Sequence, residues 1–233
     1  MDRAQNLESG CKRFSGKTVI VTGGGGAIGG SAAYRMAAEG ANIVLTDICP
    51  QERLDEVSKD ITEKTGAQCL GIRGDCTKVE EVKKCIEETV AKFGRVDCLF
   101  NNAGYQGSFK PVHEYPDDDF PRVLGINVTG VFYFLKYAAI QMKNQEPQGG
   151  AILNTASQAG VDGPPNMAAY TASKSAVIGL TKTASKDLAP HNIRVNALSP
   201  AFVGDCLMWD RQCELQAAAG SMYYSSDKEE VSK

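Results

Sequence analysis

The stretch Thr22-Gly23-Gly24-Gly25-Gly26-Ala27-Ile28-Gly29 follows the apolar run 19–21 and precedes a segment with helical periodicity. Consecutive glycines let the backbone turn tightly and approach a ligand closely, because no Cβ atom stands in the way. Between a first strand and a first helix, such a loop directs the positive end of the helix at a pyrophosphate group. Any tight loop can use glycines, but their position at this junction predicts a dinucleotide-binding loop.

Outside this loop, apolar runs alternate with longer segments of helical periodicity from Lys17 to about Leu198. The predicted strands are 19–21, 43–45, 70–72, 98–100, 152–153 and 193–198, and the predicted helices are 28–39, 51–65, 79–93, 120–143 and 168–188. Several strands lack polar alternation, which is typical of parallel strands covered on both faces. The alternation predicts a doubly wound, Rossmann-type α/β sandwich. We expect one domain over residues 17–233, preceded by a polar N-terminal extension over residues 1–16.

The composition excludes several classes of protein. Hydrophobic residues make up 42% and charged residues 23% of the 233 residues, so the chain is neither disordered nor a coiled coil. A net charge of −3 provides no basic footprint for nucleic acid or an anionic membrane. We find no apolar run long enough for a membrane-spanning helix, and residues 1–16 lack the apolar core of a signal peptide. We therefore expect a cytoplasmic protein.

Metal binding and disulfide bonds are equally unsupported by the sequence. The eight cysteines include no Cys-x-x-Cys pair, which favours free thiols in a reducing compartment. The only histidines, His113 and His191, lie far apart, so we predict no metal site. The acidic run Asp117-Asp118-Asp119 is expected to cap the long helix that follows it.

Asp47 ends the second predicted strand and indicates which dinucleotide the loop binds. A carboxylate at this position accepts hydrogen bonds from ribose hydroxyls of the adenosine half, and it repels a 2′-phosphate. The nearest cation downstream is Arg53. The sequence therefore favours NAD over NADP, whereas the alternative is that Asp47 serves only as a turn former before Pro50.

Tyr170 and Lys174 are four residues apart near the start of a predicted helix, so both lie on one face. A phenol with a pKa of about 10 is a poor base at neutral pH. A nearby ammonium and a positively charged nicotinamide would lower that pKa. Ser157 follows the fifth predicted strand, so we expect its hydroxyl at the carboxyl edge of the sheet, where open α/β folds bind ligands.

Taken together, these motifs resemble the short-chain dehydrogenase/reductase family over about residues 17–222. Thr22-Gly23-x-x-x-Ala27-x-Gly29 resembles the family's cofactor loop, and Asn101-Asn102-Ala103-Gly104 is similar to its motif at the end of the fourth strand. The resemblance implies a catalytic tetrad of Asn127, Ser157, Tyr170 and Lys174. It also implies a cofactor site formed by Gly23, Gly26, Ala27, Ile28, Gly29, Asp47, Asp75, Cys76, Asn102, Ala103, Gly104, Tyr170, Lys174, Pro200 and Val203.

The activity implied by the resemblance is reversible hydride transfer between NAD(H) and a secondary alcohol/ketone pair. Tyr170 would accept the hydroxyl proton, Ser157 would stabilise the alkoxide, and Lys174 would hold the nicotinamide ribose. Asn127 would hold a backbone position and a water. Segments 100–107, 115–120, 163–170 and 208–216 are similar to NAD-dependent xylitol dehydrogenases of this family, which favours a polyol such as xylitol.

Two other functions remain as alternatives. One is an NAD(P)H-dependent 3-oxoacyl or cyclic-ketone reductase, which would share the fold and the chemistry. The other is an NAD-binding but catalytically impaired interaction module.

Two features depart from the family pattern. Ala201 stands after the sixth predicted strand where the family usually has glycine. Family members also continue past the helix that 227–230 is expected to begin, into a seventh strand, whereas this sequence ends at Lys233. We therefore expect a sheet without the seventh strand and an exposed edge on the sixth. Since the missing segment helps to build the family's homotetramer, we expect a homodimer through the helices that carry Asn127 and Tyr170.

Overall fold

The computed structural model describes residues 11–201, 203–204, 207–219 and 227. In these residues a six-stranded sheet has the strand order β3-β2-β1-β4-β5-β6, and every neighbouring pair is parallel. The strands are β1 Thr18–Thr22, β2 Asn42–Asp47, β3 Cys69–Arg73, β4 Cys98–Asn101, β5 Gly150–Thr155 and β6 Ile193–Leu198. From β1 the strands β2 and β3 are added on one side of the sheet, and β4, β5 and β6 are added on the other. This switch point between β1 and β4 leaves a crevice at the carboxyl ends of the strands.

Helices cover both faces of the sheet. They are α1 Ala27–Ala38, α2 Gln51–Thr65, α3 Val79–Phe93, α4 Asp119–Leu124, α5 Val131–Asn144, α6 Ala159–Asp162, α7 Ala168–Leu188 and α8 Leu207–Ala218. The predicted doubly wound α/β fold is confirmed, and α2, α3 and α7 have the predicted bounds. Helix α8 was not predicted, because that segment has no distinct apolar face.

The long helix predicted over 120–143 is wrong in one respect. A π-helical turn, Gly125–Gly130, separates α4 from α5 and contains Asn127. Such turns are rare in proteins, and those that do occur are frequently found at functional sites. Apolar periodicity could not reveal this turn, because it reports which side chains are buried and not which carbonyl each N–H group reaches.

Successive residues of each strand supply the two halves of the core, because they point to opposite faces of the sheet. On one face Ile20, Val44 and Leu99 pack with residues of α3, α5 and α7. On the other face Val19 and Leu45 pack with residues of α1 and α2. Because both faces of the sheet are buried, the carboxyl ends of the strands have fixed positions around the crevice.

Contrary to the expectation from the sequence, the helical stretch 119–144 is long and apolar enough to cross a membrane, judged by length and composition alone. Its residues Phe134, Leu135, Ala138 and Met142 are, however, buried in the core against the sheet. The stretch therefore has the packing of an interior helix of an α/β domain.

The described part of the N-terminal segment, residues 11–16, packs against the end of α1. Arg13 and Arg35 form ion pairs with the carboxylate of Glu39, which is almost fully buried. The hydrogen bond from Arg13 contributes most to lowering the pKa of Glu39 to about 2. Residues 1–10 lie outside the described residues.

At the other side of the molecule, β6 is the outermost strand of the described sheet. Arg194, Asn196 and Leu198 on this strand are exposed. The helix start predicted at 227–230 lies outside the described residues, apart from Asp227.

Candidate active site

A cavity of about 1110 Å³ lies at the switch point between β1 and β4. Many of its lining residues are predicted cofactor contacts: Gly23, Gly26, Ala27, Ile28, Gly29, Asp47, Asp75, Cys76, Asn102, Ala103, Gly104, Tyr170 and Lys174. Pro200 and Val203 lie outside the described lining. The carbonyl of Pro200 accepts a hydrogen bond from the Gln158 N–H at 2.9 Å, and Val203 is exposed.

The glycine loop leaves no room for side chains. A Cβ atom on Gly29 would overlap the carbonyl oxygen of Gly23, and one on Gly25 would lie 2.7 Å from the Cys49 sulfur. Gly23 itself has a φ of +67°, in the left-handed region that favours glycine. The first turn of α1 therefore closes directly onto the loop, with its N–H groups at the cavity.

Two backbone donors fix the Asp47 carboxylate beside this loop. Its Oδ2 accepts the Gly25 N–H at 3.0 Å, and its Oδ1 accepts the Cys49 N–H at 3.1 Å. Arg53 also lines the cavity, and its guanidinium lies 3.4 Å from the Glu56 carboxylate. The carboxylate thus has a set orientation at the end of β2.

The loop after β3 forms the next part of the wall. The Asp75 carboxylate accepts hydrogen bonds from the N–H and the hydroxyl of Thr77, at 2.9 and 2.7 Å. Cys76 packs against Gly130 of the π-helical turn, where a Cβ atom would lie 2.6 Å from its sulfur. Burial raises the pKa of Cys76 to about 12, so its thiol is neutral. Asp75 and Cys76 thereby line the wall beside the π-helical turn.

Thr22 joins the two sides of the switch point, a role that the sequence analysis missed. Its hydroxyl oxygen accepts the N–H groups of Asn102 and Ala103 at 2.8 and 2.9 Å. The Asn102 amide donates back to the Thr22 carbonyl at 3.2 Å. The sequence shows a threonine at the end of a buried strand, but it does not show that the N–H groups of Asn102 and Ala103 would be its partners.

Tyr170 lines the cavity, whereas Ser157 and Asn127 lie outside its described lining. Burial raises the pKa of Tyr170, and a hydrogen bond with the Ser157 side chain opposes that rise. The expected lowering of the Tyr170 pKa is therefore wrong for the chain by itself. Burial in an apolar surrounding disfavours the phenolate more than the neighbouring hydroxyl favours it.

Lys174 is almost fully buried beneath Tyr170. Its Nζ donates to the Thr155 carbonyl at 2.7 Å and lies 5.6 Å from the centre of the Tyr170 ring. Burial lowers the pKa of Lys174 to about 8, which leaves the ammonium charged at neutral pH. A buried cation thus stands below the phenol.

Asn127 is fully buried and holds a neighbouring main chain. Its Oδ1 accepts the Tyr105 N–H at 2.7 Å, and its Nδ2 donates to the Tyr105 carbonyl at 2.8 Å. Nδ2 also donates to the Ser173 hydroxyl at 2.9 Å. The amide therefore clamps Tyr105 at two points.

Tyr105 forms a part of the wall that the sequence analysis did not single out. The guanidinium groups of Arg122 and Arg211 lie 4.7 and 5.5 Å from its ring centre. Tyr105, Arg122 and Asp210 all line the cavity. Nothing in the sequence indicated this stack, because its members come from β4–α4, α4 and α8. The side chains of residues 208 and 209, in the segment compared with xylitol dehydrogenases, lie outside the described residues.

The helix cap predicted from Asp117-Asp118-Asp119 is wrong. Asp118 stands at the N-terminus of α4 but forms no side-chain capping bond. Asp119 instead accepts the Ser108 N–H at 2.7 Å and the Tyr115 hydroxyl at 3.1 Å. The buried carboxylate is better satisfied by these donors, and it holds the loop that follows Tyr105. Across the described ranges, no group of three or more His, Cys, Asp or Glu side chains could hold a metal ion.

Comparisons with known proteins agree with this geometry. The family model described as "short chain dehydrogenase" matches residues 17–214. The structure of an NAD⁺-bound xylitol dehydrogenase is 52% identical with a TM-score of 0.90, and the match covers 94% of this chain and 83% of that chain. Levodione reductase is 32% identical with a TM-score of 0.83, over 87% of this chain and 78% of that chain.

A sequence relative gives the same assignment. The 2,5-dichloro-2,5-cyclohexadiene-1,4-diol dehydrogenase of Sphingobium indicum is 40% identical over 190 residues, which is 82% of this chain and 74% of that protein. The family match spans the glycine loop, the switch point and Tyr170 with Lys174. The chain therefore belongs to the short-chain dehydrogenase family and is an oxidoreductase that acts on CH–OH groups.

Proposed function

We propose that the chain oxidises a secondary alcohol of a polyol, such as xylitol, to the ketone, with NAD as the hydride acceptor. The observation that carries the proposal is that Tyr170, which hydrogen-bonds with the Ser157 side chain, lines the same cavity as the glycine loop and Asp47. The assignment of Asn127, Ser157, Tyr170 and Lys174 as the catalytic tetrad is part of this proposal.

The residues at the loop fit a dinucleotide. The close packing of Gly29 on Gly23 holds the start of α1 at the cavity, where its N–H groups would meet a pyrophosphate, and Asp47 presents a carboxylate of fixed orientation to ribose hydroxyls. The same negative charge would repel a 2′-phosphate, which supports NAD over NADP. When bound, the nicotinamide supplies the hydride-accepting carbon, and the protein supplies orientation and charge.

The proposed proton transfer depends on the burial of Tyr170 and Lys174. Tyr170 as phenolate would accept the alcohol proton, and the Ser157 hydroxyl would donate a hydrogen bond to the developing alkoxide. Because burial raises the pKa of Tyr170, the phenolate needs a positive charge nearby. Lys174 retains its proton at neutral pH and provides that charge from below the ring.

The substrate end of the cavity supports a polyol. Arg122 lines the cavity with its guanidinium carbon 4.7 Å from the Tyr105 ring centre, and its N–H groups would donate to substrate hydroxyl groups. Asp210 adds an exposed carboxylate to the same wall, as an acceptor. The 52% identity to a xylitol dehydrogenase supports the same substrate class. The aromatic ring of Tyr105 and the likeness to levodione reductase favour a cyclic-ketone reductase as the second candidate.

We further propose that residues 17–233 act as one catalytic unit in the cytoplasm. Every described cysteine is free, as expected in a reducing compartment. We propose a homodimer through the helices that carry Asn127 and Tyr170. The exposed apolar side chains Phe120, Phe132 and Ile140 on the stretch 119–144 support such an interface.

Turnover of an alcohol panel, followed by NADH absorbance, tests the proposed function. The panel pairs xylitol and other polyols with cyclic and 3-hydroxyacyl alcohols. Tyr170→Phe should retain NADH binding and lose about 10³-fold in kcat, since it removes the general base. Tyr133→Phe, which removes a hydroxyl outside the described cavity lining, is the matched control.

Each contrary result has a separate meaning. Unimpaired turnover by Tyr170→Phe would remove this residue from the mechanism. A wild type that binds NADH and oxidises no alcohol would favour the interaction module, and oxidation of cyclic alcohols alone would favour the second candidate. Tighter binding of NADPH than of NADH would contradict the role of Asp47.

A further inference from the structure

Ser173 lies one residue before Lys174 in α7 and is fully buried. Its hydroxyl donates to the Tyr170 carbonyl at 2.7 Å and accepts from the Asn127 Nδ2 at 2.9 Å. We propose that Ser173 is a positioning residue, which fixes Asn127 relative to the helical turn that carries Tyr170. This inference rests on the proposed function, because it assigns Ser173 to the same reacting end.

The hydrogen-bond directions carry the first step. A serine hydroxyl has one proton to donate, and here the Tyr170 carbonyl, which can only accept, receives it. Towards Asn127 the hydroxyl can therefore only accept. The Asn127 amide must present its NH₂ group to Ser173, which leaves its Oδ1 facing the Tyr105 N–H. Ser173 thus selects one of the two orientations of a buried amide.

The orientation of that amide matters for the cavity wall. Only with Oδ1 on this side can Asn127 accept the Tyr105 N–H and donate to the Tyr105 carbonyl at once. In the reversed orientation, Nδ2 would face the Tyr105 N–H and Oδ1 would face the Tyr105 carbonyl oxygen. These buried groups would then lack hydrogen-bond partners. Ser173 therefore links α7 through Asn127 to the Tyr105 main chain.

This linkage sets the distance between the two ends of the reacting site. Tyr170 approaches the cavity from α7, whereas Tyr105 and its stacked Arg122 approach from the loop after β4 and from α4. A shift of about 1 Å between a reacting group and its substrate costs roughly 100-fold in rate. Loss of the Ser173 hydroxyl should therefore reduce kcat more than it weakens cofactor binding.

A serine in a helix also bonds a carbonyl one turn earlier for purely local reasons. Ser175 on the same helix provides the matched control, because its hydroxyl donates to the Gly160 carbonyl at 2.6 Å and it is exposed. The experiment compares Ser173→Ala with Ser175→Ala in kcat, KM and the Kd of NADH. Ser173→Thr, which keeps the hydroxyl, tests rescue.

We expect Ser173→Ala to lose about 10- to 100-fold in kcat, with the Kd of NADH within about twofold of wild type. Ser175→Ala should keep the wild-type kcat, and Ser173→Thr should recover turnover. In an Asn127→Ala background, Ser173→Ala should have little further effect, because it acts through that amide. Ser173→Cys keeps the packing and weakens the hydrogen bond, so it replaces Ser173→Ala if that variant unfolds.

Equal kcat for Ser173→Ala and Ser175→Ala would overturn the inference and leave the proposed function intact. Fully additive losses with Asn127→Ala would overturn it as well, since independent sites add. A wild type without turnover on any alcohol would overturn the proposed function first, and the inference with it.

Discussion

Around the glycine loop the cavity wall is formed by main chain, whereas around Tyr170 it is formed by side chains from distant elements. The loop end presents N–H groups, small residues and one carboxylate, Asp47, held by two backbone donors. The Tyr170 end depends on hydrogen bonds that join α7, the π-helical turn and the loop after β4. The first end is specified by the absence of side chains, and the second by polar side chains.

This difference has an energetic consequence. A glycine loop buries no charge, because its binding groups are the exposed N–H groups of a helix start. The reacting end buries Lys174 at 2% exposure, which disfavours its charged form and lowers its pKa to about 8. The two ends should therefore respond differently to substitution. Defects at the loop should appear in cofactor binding, and defects at Tyr170 in turnover and in the free energy of unfolding.

For cofactor binding, the strongest change should come from the loop substitution Gly29→Ala. Its added Cβ atom would overlap the backbone oxygen of Gly23, so the loop must move away from the cofactor position. We expect the Kd of NADH to rise by about 100-fold or more, or about 3 kcal/mol, in a fluorescence titration.

Gly179→Ala is the matched control for this substitution. An added Cβ atom there meets nothing within 4 Å on α7, and alanine favours helix. Its Kd for NADH should equal that of wild type. Wild-type binding of NADH by Gly29→Ala would show that the loop tolerates side chains, contrary to the difference between the two ends of the cavity.

The next effect concerns stability at the other end, from Lys174→Met. The folded pKa of about 8 lies below the ordinary value of 10.5, so the buried charge costs about 3 kcal/mol at pH 7. Losing the hydrogen bond to the Thr155 carbonyl offsets about 1 kcal/mol of that gain. We expect the variant to unfold with a free energy about 2 kcal/mol higher at pH 7 while losing turnover.

The lowered pKa of Lys174 also predicts how the difference in stability between the wild type and Lys174→Met changes with pH. Between pH 8 and 10.5 the unfolded wild type binds the proton that the folded protein lacks, so wild-type stability rises with pH relative to the variant. The advantage of Lys174→Met should therefore be largest below pH 8 and should shrink towards pH 10.5. Urea denaturation across this range measures it, and a difference that does not change with pH would contradict the lowered pKa.

The smallest effect is expected at the substrate wall, from Arg122→Met. The variant keeps an unbranched apolar side chain beside Tyr105 but removes the guanidinium, whose N–H groups we propose as donors to substrate hydroxyls. We expect KM for a polyol to rise about 10-fold, or about 1.4 kcal/mol, with unchanged binding of NADH. Initial rates measure this change.

Lys136→Met removes an exposed cation that stacks near Phe132, outside the described cavity lining, and should leave KM unchanged. If Arg122→Met raised KM for an alcohol with a single hydroxyl as much as for a polyol, that result would argue against a polyol as the substrate. An alcohol with a single hydroxyl has no distal hydroxyl for Arg122 to bind. That outcome would favour the cyclic-ketone reductase as the function of this chain.

The order of strands and helices was accessible from the sequence because burial imposes a local period. Val19 to Val21 and Ile43 to Leu45 are apolar without alternation, since both faces of a parallel strand are covered. The helices α2 and α3 end at Gly66 and Gly94, which adopt the left-handed conformation that the glycines allow. These features depend on neighbours in sequence.

The polar contacts of Asp119 and Tyr105 were not accessible in this way. Asp119 has the sequence context of a helix cap and yet bonds Ser108 and Tyr115. The Tyr105 ring stacks with Arg211, far away in sequence. A polar side chain accepts whichever donor the folded chain brings nearest, so its partner is not determined locally.

The doubly wound sheet, the glycine loop, Asp47 at the end of β2, and the spacing of Tyr170 and Lys174 could therefore all be predicted from the amino-acid sequence. Burial period, backbone freedom and helical spacing act over a few residues, so they are legible in the chain. The π-helical turn, the raised pKa of Tyr170 and the hydrogen bond between Ser173 and Asn127 became apparent only in the folded chain. These depend on desolvation and on hydrogen-bond partners from other elements, which exist only once the chain has folded.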